Sequence, residues 1–117
     1  MYEGLLIKES LNEESILDLI EIKNVEIWKT ENHPKYWTAI HFSSLVDDFP
    51  ERLSKVLIDN PLLGESWYVD MKKDNIKYIV LKNNVLTYKI GDDVGKLAVM
   101  EQCRKFGIPE QQLDWKE

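Results

Sequence analysis

Tyr78-Ile79-Val80-Leu81-Lys82-Asn83-Asn84-Val85-Leu86-Thr87-Tyr88-Lys89-Ile90 sets two apolar, β-prone runs on either side of Asn83-Asn84. Asparagine tolerates the positive φ that a two-residue hairpin turn demands, so the stretch predicts two antiparallel strands turning at that pair. A hairpin so late in the chain completes a sheet, and the strands it completes must lie upstream.

Residues 2–8 (YEGLLIK) hold Leu5, Leu6 and Ile7 in succession, as expected of a central strand covered on both faces. Val25 to Thr30 alternates, Tyr36 to Ser43 is rich in strong β-formers, and Trp67 to Lys72 forms a fourth run before a polar turn at Lys73-Asp74-Asn75. After the first strand, Ser10-Leu11-Asn12-Glu13 has the spacing of a capping box. Ile16, Leu17 and Ile20 then recur at helical intervals, which predicts a helix over about 12–21. Asp48-Phe49-Pro50-Glu51 opens a second helix with Phe49, Leu53, Val56 and Leu57 as its apolar stripe and Asn60-Pro61 as its stop; Gly64 ends the following loop. Asp92 or Asp93 caps a last helix to about Phe106, where Gly107-Ile108-Pro109 fits a Schellman ending. Leu113 and Trp115 imply that the closing segment docks back on the body.

The order β-α-β-β-α-β, followed by a hairpin and a helix, predicts an α+β fold. Its ferredoxin-like core would be extended into a mainly antiparallel six-stranded sheet. Right-handed crossovers put the first strand inside the sheet, in the order 2-3-1-4-5-6, with the first two helices on one face. At 117 residues the chain has the size of a single domain, spanning 1–117.

With 21 acidic and 15 basic residues the formal charge is −6, which weighs against nucleic acid and anionic lipid as partners, since both need a basic footprint. No apolar run approaches the ~20 residues of a bilayer span, and the start Met1-Tyr2-Glu3-Gly4-Leu5 lacks the positive charge of a signal peptide. Cys103 is the single cysteine, so no intrachain disulfide forms and a cytoplasmic location is expected.

The opening Tyr2-Glu3-Gly4-Leu5-Leu6-Ile7-Lys8-Glu9-Ser10-Leu11 and the ending Gly107-Ile108-Pro109-Glu110-Gln111-Gln112-Leu113-Asp114-Trp115 resemble those of a group of short uncharacterised bacterial proteins. The resemblance implies a bacterial cytosolic protein and carries no catalytic residue with it.

Residues suited to chemistry are few. His33 and His41 have no metal-motif spacing and read as a loop residue and a sheet-packed one. Cys103 sits toward the C-terminal end of its helix, which works against a reactive thiolate. Gly91-Asp92-Asp93-Val94-Gly95-Lys96 lies between a strand and a helix, but its aspartates would repel a phosphate and read as caps. No cofactor or metal site is expected.

The aromatic residues are more informative. Alternation turns Ile40 and Phe42 to the core and Trp37, Ala39 and His41 away from it. By the same rule Val25, Ile27, Trp67, Val69 and Met71 point inward, leaving Trp28, Tyr68 and Asp70 outward. A helix-free face would then carry Trp28, Trp37, His41, Tyr68, Asp70 and Tyr78, and aromatic groups on an open sheet mark something that covers them. The last helix, the tail or a second copy are the candidates. Val94, Leu97 and Ala98 make that helix apolar beyond its Val99–Cys103 side, a second surface for a partner.

The expected function is a non-enzymatic interaction or regulatory module that forms a homodimer or binds a protein partner. The alternative is a small-molecule enzyme or sensor in which His41 and Asp70 handle protons and aromatic rings stack the ligand. A third, single-stranded nucleic-acid binding, draws on Lys72, Lys73, Lys77, Lys82 and Lys89 around the last strands and is opposed by the charge of −6.

Overall fold

The computed structural model describes residues 1–31, 35–60 and 65–117; His33, Pro61 and Gly64 lie outside the described residues. In chain order the elements are β1 (Tyr2–Ile7), β2 (Glu21–Lys29), β3 (Tyr36–Ser44), α1 (Phe49–Val56), β4 (Asp59–Asn60), β5 (Glu65–Ser66), β6 (Val69–Lys73), β7 (Ile76–Leu81), β8 (Asn84–Lys89) and α2 (Asp93–Lys105). Six strands form one antiparallel sheet in the order β2-β3-β1-β6-β7-β8, while β4 and β5 pair only with each other. The architecture is α+β, with β1 inside the sheet and the β7–β8 hairpin at one edge.

The hairpin turns one residue earlier than expected. Leu81 pairs with Asn84, so Lys82 and Asn83 make the turn, and Asn83 supplies the positive φ of 61°. Apolar matching decides the register: Val80 meets Val85 on one face and Ile79 meets Leu86 on the other. A turn at Asn83-Asn84 would have shifted the pairing by two residues, setting Val80 against Thr87 and Ile79 against Tyr88.

The helix expected over 12–21 is absent. Two 3-10 turns, Lys8–Ser10 and Glu14–Leu19, take its place, and β2 begins at Glu21, four residues before the expected start. Ser10 does not cap; its hydroxyl donates to Ile7 O at 2.6 Å. Leu11 instead bridges to Leu57, with Asn12 N donating to Val56 O (2.6 Å) and Ile58 N to Ser10 O (2.8 Å). This bridge consumes the residues that would have opened the helix and leaves too short a run for a stable one. It also ends α1 at Val56, before the Asn60-Pro61 stop, by drawing Leu57 into extended backbone. The ferredoxin-like core expected from the sequence is therefore not reproduced as such: its first crossover helix is missing.

α1 and α2 lie on opposite faces of the sheet. α1 buries Phe49 and Leu53 against Tyr2, Leu6, Ile40, Phe42, Met71 and Val80. α2 buries Val99 and Cys103 against Ile79, Leu81 and Tyr88, a second core that Ile108, Leu113 and Trp115 complete. Local signals for α2 hold. Asp92 accepts from Gly95 N at 3.1 Å, and Gly107, at φ 87°, ends the helix with Gly107 N donating to Arg104 O and Ile108 N to Cys103 O, each 3.1 Å. These are the two hydrogen bonds of a Schellman motif.

Candidate functional site

α2 and the tail cover only half of their face, the half built by β6, β7 and β8. Paired residues of antiparallel strands share a face, so the open half can be read from the register. Trp28 sits opposite Trp37, and Glu26 opposite Ala39, which is opposite Ile7. A third row crosses the sheet through Asn24, His41, Leu5 and Asp70. Four of the six expected site residues, Trp28, Trp37, His41 and Asp70, thus share this face.

The other two are corrected. Tyr78 pairs with Met71, on the α1 face, where its ring meets Tyr2 edge-on at 5.2 Å. The two-residue turn at Asp74-Asn75 fixed that phase, and Asp74 takes the positive φ of 54°. Tyr68 is on the expected side but is covered by the tail: its hydroxyl donates to Gln112 O and its ring meets Trp115 at 5.7 Å. Burial there drives its phenol pKa well above the usual value of 10.

His41 and Asp70 line one open cleft of about 500 Å³, together with Glu3, Leu5, Ser43, Lys23, Lys72, Lys77 and the tail residues Lys116 and Glu117. They do not act on each other. Leu5 lies between them, and two strand spacings set them roughly 10 Å apart. Each has its own partner: His41 Nε2 and Glu26 Oε1 share a hydrogen bond of 2.6 Å, and Lys77 Nζ donates to Asp70 Oδ2 at 2.7 Å. Ser43 is two residues along the strand from His41, a rise of about 7 Å, too far for an imidazole to take its proton directly.

Lys77 was not foreseen as a site residue, because a lysine in an alternating strand reads as solvent-facing. It is only 3% exposed, and its ammonium also donates to Lys116 O at 2.5 Å. That contact, the Trp115 Nε1 to Tyr88 hydroxyl bond (2.9 Å) and the Lys96–Glu117 ion pair (3.3 Å) fasten the tail along the cleft wall. At the opposite end of the open half, Trp37 packs on Trp67 with ring centroids 5.0 Å apart, and its buried indole N–H has no hydrogen-bond partner among the described residues.

Cys103 is buried, and desolvation pushes its thiol from 9.0 up to about 11, with Arg104 opposing weakly. The native protein should therefore react with a disulfide reagent far more slowly than its urea-unfolded form at pH 8, as thiol labelling would show. Because the folded pKa is the higher one, the contribution to stability is complete below pH 9 and is lost as pH rises toward 11. Fast labelling of the folded protein at pH 8 would refute this placement.

Among the described residues no three His, Cys, Asp or Glu side chains are grouped to hold a metal, and no helix is long and apolar enough to cross a membrane. The burial expected of Val25 and Ile27 is another correction. Ile22, Val25 and Ile27 do lie on the α1 face, but no helix reaches them, and they are 51%, 49% and 64% exposed. An edge strand needs its own cover, and the missing first helix would have been the element to supply it. Neither family models, nor curated proteins, nor solved structures match the chain.

Proposed function

We propose that the protein is a non-enzymatic interaction module that docks a protein partner along β2. The carrying observation is that strand itself: nine residues at the sheet edge, exposed throughout except for Trp28, with three large apolar side chains on one face. A long edge with free backbone groups and apolar side chains is a template for pairing with another strand. Covering the exposed part of Ile22, Val25 and Ile27 is worth about 1 kcal/mol per side chain, before any backbone hydrogen bond is counted. Val94 and Leu97 on α2 are 78% and 61% exposed, but they form a smaller patch with no backbone to pair. The neighbours of β1, with β3 on one side and β6 on the other, support a ferredoxin-like arrangement in which 3-10 turns stand where the first helix would be.

Ile27→Lys tests the docking surface. The position is exposed, so the urea midpoint should stay within about 0.5 kcal/mol of wild type. In extracts of cells that make the protein, proteins retained by the tagged wild type, a differently tagged copy included, should be lost by the variant. Equal retention by both would overturn docking along β2.

A second function, small-molecule binding, is favoured by one observation: His41 and Asp70 line the same cleft. Binding there would depend on His41 and Lys72 and be indifferent to Ile27.

A further inference from the structure

We infer that the occupant of the β2 edge is β2 of a second copy, paired antiparallel about a two-fold axis that passes between the two Val25 residues. This rests on the interaction function proposed above and names its partner. The outer backbone groups of β2 are unpaired among the described residues: its ladder runs to β3 alone, and no loop donates to it. What β2 lacks is therefore a strand.

Self-complementarity points to the same strand. The register against β3 passes from Ile22–Phe42 to Asn24–His41, so Lys23 is extruded as a bulge. With Lys23 set aside, a two-fold at Val25 places Ile22 opposite Ile27 and Asn24 opposite Glu26. All three exposed apolar residues of each copy then meet their counterparts on one face, in the directly opposed positions where side chains interact most strongly. On the other face the Asn24 amide can donate to the Glu26 carboxylate. Moving the axis by one residue fails: centred on Glu26, it opposes two carboxylates.

Charge agrees. The chain carries −6, yet within β2 Glu21 and Glu26 are balanced by Lys23 and Lys29, so two copies approach here without the repulsion of the whole. Closure agrees as well. The two-fold contact uses β2 of both copies, so pairing through it ends at a dimer with a twelve-stranded sheet and does not itself propagate.

The purified full chain tests this by light scattering across a range of concentrations. Wild type should show twice the chain mass of 13.8 kDa. Val25→Glu and Val25→Lys should each be monomeric, because one substitution sets two like charges face to face across the axis. An equimolar mixture of the two should regain the doubled mass, which only a register opposing residue 25 to itself allows. Circular dichroism of each variant confirms that it is folded. In the wild type, which needs no substitution, amide exchange across residues 22–28 should slow as concentration rises. A wild type that is monomeric throughout, or a dimer that survives Val25→Glu, overturns the self-pairing. Ile27-dependent capture of a different protein would then leave docking along β2 standing with another partner, and its absence would remove both.

Discussion

Gly4→Ala should destabilise the protein by about 3 kcal/mol or prevent it from folding. Gly4 lies in β1 between Phe42 and Met71. A Cβ built on it would stand 2.4 Å from Asp70 O, 2.7 Å from Met71 Cβ and 3.0 Å from Met71 Cα. None of these atoms moves with a side-chain rotamer, so the clash can be relieved only by parting β1 from β6. That contact is the joint of the sheet. Only Glu3, Gly4 and Leu5 pair across it, and among the described residues it is the one ladder that joins β2, β3 and β1 to β6, β7 and β8. Three pairs cannot absorb the displacement of their middle one. A urea midpoint for Gly4→Ala close to that of wild type would show that the two halves are held by their helices and not by the ladder.

The parts of the fold legible in the sequence were those settled within a few residues. Asp92 as a cap, Gly107 as a left-handed stop and the strand character of Tyr78 to Lys89 depend on neighbours in the chain, and each stands. What failed depended on partners far away. Ser10 and Glu13 have helix-start spacing, but the bridge from Leu11 to Leu57 spans 46 positions and claims that segment first. Alternation placed Val25 and Ile27 on the correct face and still predicted burial wrongly, because whether a face is covered depends on where α1 lands. Tyr78 was misassigned since its face follows from the Asp74-Asn75 turn, whose register no period-2 pattern in a strand apolar on both sides can fix. Lys77 was missed for a similar reason: its burial is supplied by the tail, 39 residues on.

These corrections together shift the weight of function from one face of the sheet to the other. The aromatic face is covered over one half, and its open half is a cleft in which His41 and Asp70 are each already paired, with Glu26 and Lys77. A row of three apolar side chains without cover lies on β2, on the side that carries α1.

The Asp70–Lys77 pair is where the cleft and stability meet. Asp70→Ala should cost about 2 kcal/mol, less than the full penalty for breaking a buried pair because the Asp70 side chain keeps 26% of its exposure. The loss arises from Lys77, whose side chain is 4% exposed and would keep a buried ammonium with one carbonyl, Lys116 O, as its remaining partner. Lysine can escape that state only by pushing the tail aside. Limited proteolysis should therefore cleave Asp70→Ala after about residue 110 under conditions that leave the wild type intact, and Cys103 beneath the tail should label faster. Adding Lys77→Met to Asp70→Ala removes the stranded charge and keeps the apolar stem, so the double variant should recover most of the lost stability. If instead Lys77→Met in the Asp70→Ala background destabilised further, the ammonium would be solvated in the single variant, and the tail would be held by Trp115 and Leu113 alone.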